Sequence, residues 1–346
     1  MWVVTRATKL QLPIAFALVA MVSLRVSPHL EAHRVLADAL SVSRAPTGMN
    51  GPLLIAAVRP GARDESLLAI SPGRGTRVLI PHLPLGVGLG ASPRGRYIAL
   101  AEGRQGLWLV KSDGTGLSRR LLPPSPTQRL YPLVIKAVAW SPDRYTLAYV
   151  VGEDISSAKG PGQAGFASDT HVGVWVARYD SGSPRQVATD AQLGDVLSVL
   201  SWSSDGQHIS IGDNGATYAI AVSSGRVSTL PGNGSGTFSP TDPLFAYVPQ
   251  GRQSCTSDDY KGGTAVCTID EQGKRRVRMV GHDVALGDPA FNYLVWSPNG
   301  RDLAYLAYPD AVHTLDITTG QVRVVRLGSG WRLGNGLSLA WLRTRI

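Results

Sequence analysis

Five stretches of this chain are versions of one another. They are LGASPRGRYIALA (89–101), VAWSPDRYTLAYV (138–150), LSWSSDGQHISIG (200–212), GTFSPTDPLFAYV (236–248) and LVWSPNGRDLAYL (294–306). Each reads as a short apolar strand, a Ser-Pro or Ser-Ser turn with polar residues, and a second apolar strand. The turn serines Ser92, Ser141, Ser203, Ser239 and Ser297 are spaced by 49, 62, 36 and 58 residues. Repetition at tens of residues implies units that bury their apolar faces only by stacking on neighbours, which restricts the fold to repeat architectures. The spacing varies because the later part of each unit accepts insertions, as loops do. A sixth, partial copy, LSLAWLRTR (337–345), ends the chain with Trp341 at the same aromatic position.

A second hairpin follows each of these. LWLVKSDGTGLSRRLL (107–122) places two strands around a Gly-containing turn, and VGVWVARYDSGSPRQVA, YAIAVSSGRVSTL, AVCTIDEQGKRRVRMV and VHTLDITTGQVRVVRL repeat the plan. Glycine supplies the positive φ that such turns need. Asp213-Asn214-Gly215 is a strong hairpin signal between two of the strands. Each unit is therefore four antiparallel strands, A to D, the pattern of a β-propeller blade. The fold class is all-β. Strand A ends at Ala91, Trp140, Trp202, Phe238, Trp296 and Trp341, which predicts six blades. The first copy after the leader, PLLIAAV (52–58), SLLAIS (66–71) and TRVLI (76–80), lacks strand A, and Leu337–Trp341 is the strand left over. Pairing the C-terminal strand with the N-terminal blade closes the ring and removes two unpaired sheet edges.

The units resemble the propeller repeats of TolB-like proteins. Trp140-Ser141-Pro142-Asp143 and Trp296-Ser297-Pro298-Asn299-Gly300 match the first motif of those blades. Leu107-Trp108-Leu109-Val110, Asp113-Gly114 and Arg119-Arg120-Leu121 match the second. The resemblance covers about residues 52–342 and implies the propeller fold. Residues 27–50 leave no room for the α/β domain that precedes the TolB propeller, so the likeness is confined to the propeller portion.

The leader has its own pattern. Arg6 and Lys9 precede an apolar stretch from Leu10 to Leu24, broken by Gln11 and Ser23. A cationic start with about 15 apolar residues is the pattern of an export signal, and is short for a spanning helix. The nearest Ala-x-Ala beyond it is Ala37-Asp38-Ala39. A cleaved signal peptide and a retained signal anchor both remain open. The division is 1–26 signal or anchor, 27–50 a short helix or linker outside the main domain, and 51–346 propeller. An extracytoplasmic location follows, in the periplasm or at the cell surface, secreted or tethered through residues 10–24.

Hydrophobic residues at 43% against 17% charged exclude a disordered chain. The formal charge of +9 comes from 28 Arg and 6 Lys, dispersed apart from Arg119-Arg120 and Lys274-Arg275-Arg276-Arg278. A nucleic-acid protein gathers its basic residues into a stripe, so no nucleic-acid partner is expected.

Few residues suggest catalysis. Serines that recur in equivalent turns cap those turns, because a nucleophile is needed once and not in every blade. The strand-A tryptophans read as anchors between blades. There is no Gly-x-Ser-x-Gly elbow and no phosphate-binding Gly-x-x-x-x-Gly-Lys-Ser/Thr loop. His29 and His33 stand four apart without a carboxylate set, and His82 and His282 fall in links between blades. No metal or cofactor is expected. Cys255 and Cys267 are the two cysteines, 12 apart in one hairpin. With an export signal they favour a disulfide over two free thiols, worth about 3 kcal/mol in the chain-entropy model.

Strand parity points to a working face. In a four-stranded blade the A–B and C–D turns share one face, and the B–C and D–A links share the other. The long segments 152–171, 249–263, 123–134, 189–197 and 281–291 are all B–C or D–A links. Loops on a rigid scaffold carry function, so Tyr131, Phe166, His171, Tyr260 and Phe291, in or beside these links, are the candidate binding residues. The expectation is a monomeric, non-catalytic binding module for a protein, a peptide or an envelope polymer. The alternative is a propeller hydrolase or lyase with a polar or metal site at the channel mouth.

Overall fold

Strands of two to nine residues with buried apolar positions, broken at glycine-containing turns, build nearly all of the described structure. A computed structural model of the chain describes residues 36, 50–121, 133–153, 171–181, 183–193, 196–213, 216–232, 236–248, 264–270, 274–281, 293–307, 309–334 and 338–343. It is an all-β ring of six antiparallel blades. Blade I contains β1 (Asn50–Val58), β2 (Glu65–Ser71) and β3 (Gly75–Leu83). Blade II is β4 (Gly88–Ala91), β5 (Tyr97–Ala101), β6 (Leu107–Lys111) and β7 (Ser118–Leu121). Blade III is β8 (Leu133–Trp140), β9 (Thr146–Glu153), β10 (His171–Arg178) and β11 (Arg185–Thr189), followed by the single-turn helix α1 (Asp190–Leu193). Blade IV is β12 (Val196–Trp202), β13 (His208–Asp213), β14 (Thr217–Ala221) and β15 (Val227–Leu230). Blade V is β16 (Thr237–Phe238), β17 (Leu244–Tyr247), β18 (Thr264–Asp270) and β19 (Arg275–Gly281). Blade VI is β20 (Val295–Trp296), β21 (Asp302–Ala307), β22 (Ala311–Asp316) and β23 (Val322–Arg326), and the ring ends with β24 (Arg332–Leu333) and β25 (Leu339–Arg343).

The ring closes as the sequence predicts. β25 pairs antiparallel with β1 through Trp341↔Leu53, Ala340↔Leu54 and Leu339↔Ile55. β24 pairs with the far end of the same strand through Leu333↔Ala57 and Arg332↔Val58. Two short C-terminal strands together supply strand A of blade I, so the end of the propeller sequence is held in the sheet of its beginning.

Neighbouring blades are joined by the strand-A aromatics. The indole Nε1 of Trp140 donates to the carbonyl of Gly90 in the preceding blade, at 3.1 Å. Trp202 does the same to Ala139 at 3.2 Å, and Trp296 to Thr237 at 3.1 Å. Trp341 departs from this rule and donates to Gly51 of its own blade at 3.0 Å. Glycine permits the closest approach between blades II and III, where a Cβ on Gly88 would collide with the Lys136 carbonyl. Blade V carries Phe238 at the aromatic position, and a phenyl ring has no N–H to give. There Ser201 Oγ accepts the Phe238 N–H at 2.9 Å, and Ser210 Oγ donates to the Gly236 carbonyl at 3.1 Å.

The turn serines are structural in blades II to VI. Ser92 Oγ accepts from Tyr97 N at 2.9 Å, Ser203 Oγ from His208 N at 2.9 Å, and Ser297 Oγ from Asp302 N at 2.9 Å. Ser141 and Ser239 cap their turns at Asp143 N and Asp242 N. These serines are buried, at 6% exposure or less. Asp143 adds a second cap, accepting from Tyr145 N, Thr146 N and Thr146 Oγ1. Burial pushes the Asp143 carboxyl up, but these hydrogen bonds outweigh it and hold the group below its ordinary value. The left-handed position of this turn is glycine at Gly95, Gly206 and Gly300, whereas blade III places Arg144 there, at φ 77°.

Within the segment 27–50, read from the sequence as a short helix or linker, the described residue before β1 is Leu36, which is helical, 2% exposed and part of the core between blades IV and V.

Candidate functional site

The antiparallel order in every blade puts the A–B and C–D turns on one face and the B–C and D–A links on the other. The anticipated anchors Tyr131, Phe166, Tyr260 and Phe291 lie outside the described residues, as do Cys255 and His282. His171 opens β10, where its backbone pairs with Gly152 at the mouth of the longest B–C link. Cys267 lies in β18 opposite Tyr247 and is fully buried. Among the described residues no cysteine is free. His82 bonds through Nδ1 to Asp64 Oδ2 at 2.6 Å, an exposed pair within blade I. Among the described residues no group of three or more His, Cys, Asp or Glu side chains is placed to hold a metal. No described helix is long and apolar enough to cross a membrane.

On the link face the described residues form a cleft of about 490 Å³ at the rim between blades VI and I. It is lined by Pro60, Pro309–Asp310, Arg326 and the run 328–332. Pro60 belongs to the B–C link of blade I, Pro309 and Asp310 to that of blade VI, and residues 327–331 to the D–A link between the blades. The D–A link is fixed at both ends. Leu327 N donates to the Asp310 carbonyl at 2.9 Å, and Leu333 N to the Pro309 carbonyl at 2.9 Å. Leu327 and Leu333 are buried, so Gly328 to Trp331 arch out between two anchored points. Gly328 and Gly330 take φ of 95° and 79°, and the arch depends on glycine at both.

Trp331 is the floor of this cleft. One side of it packs on the apolar cluster of Leu53, Leu306, Leu327 and Leu333. The Arg59 guanidinium lies over its ring, 4.8 Å from the centroid. Arg326 faces Asp310 at 3.7 Å, too far for a hydrogen bond, and both side chains are well exposed. Arg332 adds a third guanidinium. Three arginines against Asp310 leave a formal +2 around one half-buried indole. No His, Cys or Glu lines the cleft. The arrangement suits holding an anionic group against a flat apolar surface, and contains no paired acid and base for bond cleavage.

The turn face has a cluster of a different kind. Tyr145 stacks on Tyr179 at 6.3 Å, with Tyr97 and Trp140 against the same ring at 6.1 and 5.4 Å. Arg178 lies over Tyr145 at 5.0 Å and grips Asp180 with two hydrogen bonds. The aromatic faces and the charges here are already matched to one another.

Fold and cleft together define a six-bladed β-propeller with a cationic, aromatic-floored rim site. No protein-family model matches the chain, and no curated protein matches it.

The cleft residues were not among the candidates read from the sequence. Arg59–Pro60 and the run from Pro309 to Arg332 are some 250 residues apart, and only ring closure brings them together. The available signal was Gly328-Ser329-Gly330-Trp331, a tryptophan set between glycines in a link rather than at the end of a strand.

Proposed function

We propose that this chain is an exported, TolB-like propeller acting as a non-catalytic binding module at the cell envelope. It grips a protein, peptide or envelope polymer through its link face. The leader supports export, and the Cys255–Cys267 pair is proposed to be a disulfide formed outside the cytoplasm. The observation that carries the reading is the rim cleft. Trp331 offers a flat apolar floor, while Arg59, Arg326 and Arg332 offer donors that, among the described residues, carboxylates meet only through the loose Asp310 contact. A partner carrying carboxylate or phosphate groups beside apolar ones complements both features.

The reading is tested by immobilising the full-length protein and a Trp331→Ala, Arg326→Ala double variant and exposing both to envelope extract. Partner retention by the original protein, weakened at least tenfold in the variant and by raised salt, supports it. Equal retention by both proteins contradicts it.

A further inference from the structure

Leu36 is the one described residue that precedes β1, and it is 2% exposed. Its cluster contains Ala219 and Leu230 from blade IV and Phe238, Phe245, Tyr247, Cys267 and Ile269 from blade V. A leucine from the leader region therefore sits in the wedge between two blades.

The blades do not fill this wedge themselves. At other junctions the D–A link supplies a buried aliphatic side chain. Val87 is 1% exposed between blades I and II, Leu193 1% between III and IV, Leu294 1% between V and VI, and Leu327 0% between VI and I. The link between blades IV and V, residues 231–236, reads PGNGSG and has no aliphatic side chain. The same junction lacks the tryptophan bond, because Phe238 replaces the indole. Leu36 does for blades IV and V what the link residue does elsewhere.

We infer that Leu36 is an integral core residue, so the mature exported chain is not cut at Ala37-Asp38-Ala39 and keeps the segment from Leu36 onward. A cut after Ala39 would carry Leu36 away and leave an unfilled space among the aromatics of blade V. The inference rests on the export reading of the leader. It has a geometric consequence. Residues 25–35 alone separate the end of the apolar stretch from Leu36. Twelve fully extended steps span about 40 Å, so a leader retained as a membrane anchor through residues 10–24 would tether the junction of blades IV and V within that distance of the membrane.

The test expresses the full chain with its own leader in an exporting host and takes the intact mass and N-terminal sequence of the extracytoplasmic protein. In parallel, the melting temperatures of Leu36→Asp, Leu36→Ala and Leu36→Met are compared with the original. The expected result is an extracytoplasmic chain that still contains Leu36, uncut at Ala37-Asp38-Ala39. Leu36→Asp and Leu36→Ala should melt lower by roughly 5 °C or more, and Leu36→Met close to the original. A folded mature chain beginning at Leu40 and melting like the uncut protein overturns the inference. A cut between residues 25 and 35 overturns the tether and leaves the core role standing. Failure of export overturns the reading of the leader, while the melting series on cytoplasmic protein still decides whether Leu36 is core.

Discussion

On the turn face of the ring, Ser92, Ser203 and Ser297 each accept the backbone N–H of the fifth residue onward, in three different blades. On the link face, the D–A links PGNGSG (231–236) and LGSGW (327–331) share neither length nor sequence, and the second carries an exposed cationic cleft. The turn face uses its polar atoms inside the fold. Its aromatic and charged side chains are matched to one another, with Tyr145 contacting both Tyr179 and Arg178. The link face leaves guanidinium groups and a tryptophan with capacity to spare. Repetition marks what the fold requires, and irregularity on one side of the ring marks what is free to recognise something else.

The largest effect tests what both faces depend on. Removing residues 338–346 takes away β25, the longer part of strand A of blade I, and unpairs β1 from Asn50 to Ile55. Cooperative melting should be lost, or the transition lowered by more than 10 °C, as read by circular dichroism. A deletion variant that melts like the full chain would break the account of closure.

Next come the turn serines. Ser203→Ala or Ser297→Ala leaves buried backbone N–H groups unpaired and should cost about 1–2 kcal/mol in urea unfolding. Neither should change partner retention, because both serines are on the turn face. A loss of retention without a loss of stability would reverse the roles assigned to the two faces.

A pH series sharpens the comparison at one residue. His313 in β22 lies edge-on to Tyr305 at 5.4 Å, and its Nδ1 is buried without a partner. Burial, then the Arg326 charge, hold its pKa below the ordinary value. The unfolded chain therefore takes up this proton first. The stability from the neutral ring is full above about pH 6.5 and is lost as pH falls toward the lowered folded value. His313→Phe should flatten this part of the stability-against-pH curve. An unchanged slope would remove His313 as its source.

The smallest effect is a gain. Arg144 holds the left-handed turn position that is glycine in three other blades. Its charge also helps depress the pKa of Arg343, after burial. Arg144→Gly should stabilise by about 0.5–1 kcal/mol without altering binding.

These comparisons show what the sequence could reveal. The strand-A endpoints, the serine caps and the closing strand were legible because six copies of one unit expose the shared physical need: a turn capped by a hydroxyl, an anchor at the strand end, an edge that must be paired. The double strand β24 and β25 was half legible. Trp341 aligned with the other anchors, while Arg332–Leu333 carried no repeat signal. Leu36 was not legible, since one leucine outside the repeat has no periodic partner and its need arises from an absence in PGNGSG far along the chain. The rim cleft was legible only as a face. Its arginines look like an Arg-leaning composition until closure sets Arg59 over Trp331.

The most direct measurement of the central claim is a pair of binding isotherms for one partner captured from envelope extract. One uses the Trp331→Ala, Arg326→Ala variant, and the other uses a Tyr145→Ala, Arg178→Ala variant on the turn face. The account predicts that the first loses at least tenfold in affinity with its melting temperature nearly unchanged, while the second binds like the original. Equal affinity for the first variant, or loss of binding only in the second, would contradict it.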